Sequence, residues 1–332
     1  MPPTLWFRED GTFKIVQFTD MHWHNGDPDD LQTRALMERV LDAERPDLVL
    51  LTGDVIAGEP CRDPAESWRQ SVAPMEARGL LWAAVFGNHD DEGRLSRAEL
   101  MAVQQESQLC LSEPGPKEIA GVGNYVLPIL SARTGSLAAA LYCLDSQSYA
   151  PPGLGGYGWV EYDQIGWYLA AARALSKEFA AAKDGTPLPA LAFFHIPLPE
   201  YDEVWDFHAC RGVKYENVCC PRLNTGLFSA FYSVGDVMGT FVGHDHVNDF
   251  EGTLYGLRLC YGRATGYNTY GRDGFPRGAR VIQLREGERA FTTWLRLDDG
   301  RAVTEPPEHA PQGRVLTSDA PGQSEPCHDP VP

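Results

Sequence analysis

The chain of 332 residues has no excess of basic side chains, because 28 lysines and arginines stand against 46 aspartates and glutamates. The resulting net charge of -18 repels the phosphate backbone of nucleic acids over most of the surface. Nucleic-acid binding is therefore not expected. Hydrophobic residues make up 43% of the chain and charged residues 22%, which is typical of a globular protein with a large core.

Long apolar segments are also missing. No run of hydrophobic residues approaches the length of a membrane span. The first ten residues, Met1 to Asp10, have neither the basic start nor the apolar centre of a secretory signal. We therefore expect a protein that has no membrane association and a cytoplasmic location.

The eight cysteines do not form a disulfide framework or a zinc motif. Cys210, Cys219 and Cys220 are the only local cluster, and their spacing is neither that of a zinc ribbon nor that of a redox Cys-x-x-Cys motif. Because the chain is long enough to have its own core, reduced and mostly buried thiols are expected.

Metal-capable side chains follow five short hydrophobic runs. Residues 13–18 lead to Asp20 and His22, residues 47–51 to Asp54, residues 81–86 to Asn88, His89 and Asp90, residues 191–194 to His195, and residues 241–242 to His244 and His246. Nearly continuous apolar runs of this length are typical of strands that are buried on both faces. Because open α/β sheets place their sites at the carboxyl ends of strands, we expect these side chains to converge.

Two histidines flank a single residue within residues 243–246, and imidazoles so close together suit metal binding. Alone this pattern is weak, because a polar loop with two histidines is more often only solvated. The carboxylates of Asp20 and Asp54 strengthen it, because acid and imidazole groups are costly to gather at strand ends without a ligand.

Strand and helix patterns alternate along the chain. Helices are predicted over residues 29–45, 65–78 and 96–109, and the first two join three strands into successive βαβ units with parallel strands. Strand patterns at residues 124–129 and 138–144 predict a move into a second sheet. The last strands are predicted over residues 257–261, 279–284 and 290–297, and residues 202–223 read as irregular.

The composition changes near Asp298. Beyond this residue the chain is rich in Pro, Glu, Asp, Ser and Gly and has few large apolar side chains. We expect one domain over residues 10–297 and a disordered tail over residues 298–332.

The motifs occur in the order Asp-x-His, Gly-Asp, Gly-Asn-His-Asp, a lone His after an apolar strand, and Gly-His-x-His. This order resembles the calcineurin-like metallophosphoesterases over residues 10–297. Residues 13–17, 82–90, 193–201 and 241–250 look like the compact, one-domain relatives of the purple acid phosphatases. The resemblance implies an α/β fold, a two-sheet (αββα) sandwich with the metal site at the carboxyl ends of its strands.

The resemblance also implies a dinuclear metal site. One ion would be held by Asp20, His22 and His246 and the other by Asn88, His195 and His244, with Asp54 bridging both. Mixed nitrogen and oxygen ligands suit divalent or trivalent Mn, Fe or Zn. The larger purple enzymes carry a tyrosine three residues after the bridging aspartate, and this chain has Ala57 there. Without a tyrosinate ligand, no specific demand for ferric iron follows.

Three further residues are candidates for catalysis and substrate binding. By resemblance, His89 protonates the leaving oxygen or stabilises the transition state, and Asp90 is expected to orient its imidazole. Arg263 lies in a Gly- and Tyr-rich loop and could contact a substrate phosphate, although an exposed surface arginine fits the sequence as well.

The implied activity is metal-dependent hydrolysis of a phosphate ester. Two cations about 4 Å apart can share a hydroxide, lower its pKa and hold the phosphoryl oxygens for in-line attack. The leading hypothesis is a phosphatase that acts on phosphomonoesters, with a phosphorylated small molecule or a phosphoprotein as substrate. A phosphodiesterase acting on cyclic nucleotides or other diesters is the alternative. A non-catalytic interaction module of the same fold is a third hypothesis, against which the intact set of motifs argues.

Overall fold

Two β-sheets with helices on their outer faces form the protein in a computed structural model, which describes residues 3–180 and 185–311. The helices are α1 (Pro28–Glu44), α2 (Pro64–Glu76), α3 (Arg97–Gln104), α4 (Tyr162–Ala180), α5 (Glu200–Phe207) and α6 (Leu227–Val234). The strands are β1 (Leu5–Trp6), β2 (Thr12–Phe18), β3 (Leu48–Thr52), β4 (Trp82–Val85), β5 (Tyr125–Leu130), β6 (Leu137–Cys143), β7 (Ala190–Phe193), β8 (Cys210–Arg211), β9 (Val237–Val242), β10 (Glu251–Leu254), β11 (Leu257–Tyr261), β12 (Gly278–Arg285), β13 (Phe291–Leu297), β14 (Ala302–Val303) and β15 (Glu308–His309).

The strands divide between a smaller and a larger sheet. The smaller sheet has the order β14-β13-β12-β2-β3-β4, and β2, β3 and β4 run parallel. The larger sheet has the order β1-β5-β6-β7-β9-β11-β10-β8-β15, and β6, β7, β9 and β11 run parallel. Because β5 and β6 lie in the larger sheet, the predicted move of the chain into a second sheet is confirmed.

The core has three apolar layers, which follow from the alternation of side chains along each strand. In β2, Phe13 and Ile15 face the layer between the two sheets. Val16 and Phe18 point the other way and pack with helices α1, α2 and α3. Helices α4, α5 and α6 cover the outer face of the larger sheet. The two-sheet sandwich flanked by helices is therefore confirmed as the fold.

Helix α1 begins where the loop after β2 ends. The side chain of Asp27 accepts hydrogen bonds from the backbone N–H groups of Asp29 and Asp30, and Pro28 occupies the first helical turn. A cap of this kind stabilises a helix by about 1 kcal/mol. The side chains of Asp27 and Asp30 fix the first turn of the helix. They therefore also fix the end of the loop that carries His22.

Several predicted elements differ from the structure. Helix α3 ends at Gln104 rather than near residue 109, and the region predicted as irregular contains α5 and β8. The prediction of a disordered tail is wrong over residues 298–311, because β14 pairs with β13 and β15 pairs with β8. These strands have two residues each, which is too short for a period to be visible in the sequence. Residues 312–332, the rest of the predicted tail, lie outside the described residues.

Within the residues that the structure describes, six cysteines are free thiols, namely Cys61, Cys110, Cys143, Cys210, Cys220 and Cys260. The prediction of reduced thiols agrees with the structure for these six and is wrong for Cys219, which is disulfide-bonded. Within the described residues, no helix is long and apolar enough to cross a membrane.

Candidate metal centre

The carboxyl ends of five parallel strands meet on one side of the molecule, and each delivers a candidate ligand. Strand β2 leads to Asp20 and His22, β3 to Asp54, β4 to Asn88, β7 to His195, and β9 to His244 and His246. All seven side chains are buried. Backbone hydrogen bonds join the loops that carry them: the N–H of His22 donates to the carbonyl of Asp54 at 2.9 Å, and the N–H of Gly243 donates to the carbonyl of His195 at 3.1 Å.

The first group of ligand atoms consists of two carboxylates and two imidazoles. Asp20, His22, Asp54 and His246 each offer an atom within 4.8 Å of the others. Nε2 of His22 lies 3.3 Å from Nε2 of His246 and 3.6 Å from Oδ2 of Asp54. Nε2 of His246 lies 3.5 Å from Oδ1 of Asp20. Four converging donors suit a cation with mixed nitrogen and oxygen ligands.

The second group shares Asp54 with the first. Asp54, His195 and His244 offer ligand atoms within 4.8 Å of one another. Nε2 of His195 lies 3.1 Å from Oδ2 of Asp54, 3.2 Å from Nδ1 of His244 and 3.2 Å from Oδ1 of Asn88. The structure thus brings the predicted ligands together in two groups that share Asp54, and their binding of two metal ions stays a prediction.

Hydrogen bonds hold two of these imidazoles by the nitrogen that faces away from the group. Nδ1 of His195 lies 2.8 Å from the carbonyl oxygen of Thr52, so this nitrogen carries the proton and donates it. Nδ1 of His246 lies 2.7 Å from the hydroxyl of Thr269, and the ring stacks on Tyr270 at 4.2 Å. In both rings Nε2 is thereby left to face the other ligand atoms.

Four candidate ligands have a backbone conformation that is uncommon for residues with a side chain. The φ angles are 53° at Asp20, 45° at His22, 48° at Asp54 and 77° at His244. A left-handed conformation of a non-glycine residue costs about 1–3 kcal/mol and persists only where the surroundings impose it. The strained backbone therefore sets the direction in which these four side chains point. Such strain is common at functional sites.

Gly87 lies against Asp54 so closely that no other residue fits there. A Cβ atom at Gly87 would lie 2.1 Å from Oδ1 of Asp54 and 2.3 Å from its backbone nitrogen. Such distances are far below van der Waals contact, so a side chain would displace the loop of Asp54. The glycine before Asn88 in the sequence motif thus has a steric reason.

The charges of the site shift the pKa values of its members. Burial lowers the pKa of His22 to about 3. Burial alone would raise the pKa of Asp54, but the imidazoles of His195 and His89 hold it well below the usual range. The pKa of His195 is raised to about 9 because the attraction of Asp54 outweighs the effect of burial. Asp54 is therefore an anion at neutral pH.

Two carboxylate oxygens in the site accept no hydrogen bond. Oδ2 of Asp20 and Oδ2 of Asp54 are both buried and accept no hydrogen bond of good geometry, although Nε2 of His195 lies 3.1 Å from Oδ2 of Asp54. An unsatisfied buried carboxylate oxygen costs more than about 1–3 kcal/mol, so such atoms are rare unless a cation binds them. The arrangement of these oxygens among imidazole nitrogens fits a pair of transition-metal ions.

His89 stands at the open side of this group. Its side chain is 16% exposed, and its ring centroid lies 5.2 Å from that of His22. Its backbone N–H donates to Oδ1 of Asp54 at 2.9 Å, which turns Oδ2 of Asp54 towards the ligand nitrogens. The imidazole can therefore reach a molecule in the site without being one of the grouped ligands.

The expectation that Asp90 orients the imidazole of His89 is not met. Oδ2 of Asp90 accepts from the N–H groups of Gly87 at 2.8 Å and Asp54 at 3.1 Å, and Oδ1 accepts from Ile56 at 3.0 Å. Asp90 is buried, and burial together with the charge of Asp54 raises its pKa to about 7. Through these hydrogen bonds Asp90 connects the loop after β3 to the loop after β4. The carboxylate at the imidazole belongs to Glu92, whose Oε2 lies 2.6 Å from Nδ1 of His89.

The expectation that Arg263 contacts a substrate phosphate does not agree with its placement. The side chain is 4% exposed and pairs with Oδ2 of Asp249 at 2.5 Å. Its Nε donates to the carbonyl of Pro276 at 2.7 Å, and the guanidinium lies 3.2 Å from the ring centre of Phe275. Arg263 is committed to this buried ion pair.

Other residues around the site were missed by sequence reasoning. Tyr149 and Tyr157 form an isolated antiparallel bridge, and the ring of Tyr157 meets His244 edge-on at 4.3 Å. Both lie in a Gly- and Pro-rich stretch, residues 149–157, that contains no histidine, cysteine or carboxylate, so no local signal marks them. Glu92 could have been found, because a carboxylate three residues after a histidine can reach its ring.

Comparison with known proteins agrees with this geometry. The family model for calcineurin-like phosphoesterases matches residues 13–248. The chain is 38% identical to the "Probable inactive purple acid phosphatase 29" of Arabidopsis thaliana, over 89% of this chain and 85% of that protein. It is 33% identical to the "Phosphatase DCR2" of Saccharomyces cerevisiae, over 87% of this chain and 54% of that protein.

Solved structures share the fold at low sequence identity. A dimetal phosphatase from Danio rerio superposes with a TM-score of 0.56 at 15% identity, over 85% of this chain and 98% of that chain. GAP50, described as the anchor in the inner membrane complex of Plasmodium, gives a TM-score of 0.50 at 10% identity, over 89% of each chain. The motifs, the two-sheet fold and the matched family model lead to one conclusion: this chain is a member of the calcineurin-like phosphoesterase family.

Proposed function

We propose that this protein is a metal-dependent phosphatase that hydrolyses phosphomonoesters at the site between the strand ends. The observation that carries the proposal is the pair of ligand groups that share Asp54, together with the buried, unsatisfied oxygens of Asp20 and Asp54. Buried carboxylate oxygens that accept no hydrogen bond of good geometry are costly, and a bound cation would offset that cost.

The proposed ligands fall into two sets. Asp20, His22 and His246 would hold one ion, and Asn88, His195 and His244 the other, with Asp54 between them. When bound, two such ions lower the pKa of a water molecule and neutralise charge on the phosphoryl oxygens. The ligand chemistry suits Mn, Fe or Zn. Ala57, in place of a tyrosine, supports a site without the tyrosinate that gives purple enzymes their colour.

His89 is the proposed acid catalyst. Its ring is partly exposed and adjoins Asn88, so it can approach a bound ester from the open side. A proton at the nitrogen that faces the ester could pass to the leaving oxygen. Asp54 supports this placement because its Oδ1 holds the backbone of His89.

A non-catalytic interaction module is the second candidate. Three Arabidopsis relatives that match the chain carry the words "Probable inactive" in their names. The complete ligand set of this chain argues for catalysis instead. The two candidates make opposite predictions, since a binding module would not turn over a phosphate ester in the presence of added metal.

The preference for monoesters is the less supported half of the proposal. The pairing of Arg263 with Asp249 removes the donor that would have favoured the extra charge of a monoester. The support that remains is the similarity to proteins named as phosphatases. A phosphorylated small molecule or a phosphoprotein is proposed as the substrate, and a cytoplasmic location stays a prediction from the sequence.

The test compares two chromogenic esters at a defined metal content. Protein prepared metal-free and then loaded with Mn, Fe or Zn is assayed on 4-nitrophenyl phosphate and on bis(4-nitrophenyl) phosphate. We expect turnover that depends on added metal and a larger kcat/KM for the monoester. A larger kcat/KM for the diester would favour the phosphodiesterase, and no turnover with any metal would favour the non-catalytic module.

A further inference from the structure

The loop after β4 contains a carboxylate that the metal groups do not use. Oε2 of Glu92 lies 2.6 Å from Nδ1 of His89. The Glu92 side chain is 26% exposed and the His89 side chain is 16% exposed, so the pair lies at the mouth of the site rather than in the core. A carboxylate at this distance accepts the proton of Nδ1 and so fixes the direction of the ring, with Nε2 as the nitrogen that points away from Glu92.

The same carboxylate reaches a second residue of the site. Its other oxygen, Oε1, accepts a hydrogen bond from the hydroxyl of Tyr149. The Tyr149 oxygen in turn accepts a hydrogen bond from Nδ2 of Asn88 at 3.3 Å. With Nδ2 turned to Tyr149, the amide oxygen of Asn88 faces Nε2 of His195 at 3.2 Å. Glu92 is therefore linked both to the ring of His89 and, through Tyr149, to the orientation of the Asn88 amide.

We propose that Glu92 is the positioning residue of this site, which fixes the ring of His89 with Nε2 towards the ester and, through Tyr149, turns the oxygen of Asn88 towards the second group of ligands. The two other carboxylates of this loop cannot take this part, because three backbone N–H groups occupy the oxygens of Asp90 and Asp91 pairs with Arg97. The assignment explains why the chain places an acidic residue two positions after the motif that ends at Asp90.

Spectra of the histidine rings test the assignment without any turnover. Long-range proton–nitrogen correlation spectra of the metal-free protein report which ring nitrogen carries the proton, and the His89 signals are assigned by their loss in His89→Ala. For the neutral ring we expect the proton of His89 on Nδ1 in the parent and a shift towards Nε2 in Glu92→Ala, whereas the acid form carries a proton on both nitrogens. A His89 ring with the same protonated nitrogen in both proteins would overturn the proposal.

The kinetic part of the test rests on the proposed function. With 4-nitrophenyl phosphate, Glu92→Ala is expected to lower kcat about 10- to 100-fold at unchanged KM. In a His89→Ala background the same substitution should cost clearly less, because the part of its effect that passes through that ring is already lost and only the link to Asn88 through Tyr149 remains. Independent, multiplicative losses in the double variant would contradict the proposal. Glu92→Asp, with its shorter side chain, should recover part of kcat.

Controls separate this assignment from a general loss of structure. Glu59→Ala removes an exposed carboxylate from a neighbouring loop and should leave both the His89 spectrum and kcat unchanged. If Glu92→Ala melts well below the parent, Glu92→Gln takes its place, because glutamine keeps the shape of the side chain. A smaller shift of the His89 proton towards Nε2 is then expected. If even the parent hydrolyses no ester, the proposed phosphatase activity fails, while the ring spectra still decide the role of Glu92.

Discussion

Oδ2 of Asp54 lies 3.1 Å from Nε2 of His195, and neither side chain is exposed. The two residues are 141 positions apart in the sequence and come from different sheets, since Asp54 follows β3 and His195 follows β7. Their contact therefore depends on the packing of one sheet on the other. This contact places the carboxylate of Asp54 between two groups of imidazoles. We expect metal binding to be sensitive to any change that moves this carboxylate.

Gly87→Ala is expected to move Asp54 with the addition of a single methyl group. The new Cβ would lie 2.1 Å from Oδ1 of Asp54, so the loop must shift. We expect a loss of metal binding measured by titration and a lower melting temperature. Overpacking of this kind costs about 1–3 kcal/mol.

The matched control is Gly166→Ala within α4, where the added Cβ meets nothing within 4 Å. Alanine favours a helix over glycine by about 1 kcal/mol, so this variant should melt at or above the parent temperature. Equal behaviour of the two alanine variants would show that the close approach of Gly87 to Asp54 has no consequence.

Glu44 gives a pH-dependent prediction far from the site. Its carboxylate accepts hydrogen bonds from Arg296, from Nε1 of Trp294 at 3.1 Å and from Lys14 at 3.2 Å. Burial alone would raise its pKa, but these donors lower the pKa below the ordinary glutamate value of 4.5. The stabilisation is therefore present above this value and is lost as pH falls through the lower pKa of the folded state.

Glu44→Gln should accordingly unfold at a lower urea concentration than the parent at pH 7. Its free energy of unfolding should be about 1–3 kcal/mol smaller. The difference should shrink as the pH is lowered below about 4, because the parent carboxylate is then protonated as well. Metal-free protein is used throughout, so that metal release does not contribute. A difference that grows towards acid pH would contradict the assignment.

Arg263→Ala is expected to affect stability and not substrate preference. Removing the guanidinium leaves the carboxylate of Asp249 buried without its partner, which costs about 3–5 kcal/mol. The folded variant should keep the parent ratio of kcat/KM for 4-nitrophenyl phosphate and bis(4-nitrophenyl) phosphate. A changed ratio with an unchanged melting temperature would return Arg263 to the substrate site.

The segment after β13 is expected to contribute to stability. The ring of His309 stacks on Trp205 at 3.7 Å with an interplanar angle of 7°, and β15 pairs with β8. A chain that ends at Gly300 loses both contacts and should melt below the parent. His309→Ala removes only the stacked ring and should lose less, about 0.5–1.5 kcal/mol. A shortened chain that melts like the parent would show that these contacts do not contribute to stability.

The ligands could be predicted from the sequence because their signal is local. An apolar run buried on both faces is readable from a few residues, and the polar residue that ends it belongs to the same stretch. Asp54 and His195 each follow such a run, so parallel strands bring them to one edge without further information. The order of motifs along the chain then gave the family and the fold.

The contacts of individual side chains could not be predicted in this way. Asp90 and Glu92 are both acidic residues close to His89, and only the path of the loop decides which of them reaches its ring. Arg263 is buried because Asp249, 14 positions earlier, neutralises it, and an arginine in a loop is otherwise expected at the surface. The two-residue strand β15 pairs with a segment about 100 positions away, a separation over which no sequence period applies.

Metal analysis of Asp54→Asn tests the central proposal most directly. The shared carboxylate would contact both ions, so the parent is expected to bind about two transition-metal ions per chain and the variant to lose affinity at both sites. Turnover of 4-nitrophenyl phosphate should fall at least about 100-fold. Glu38→Gln, at an exposed ion pair on α1, serves as the control and should behave like the parent. A variant that binds two ions with the parent affinity and keeps its turnover would contradict a dinuclear site built around Asp54.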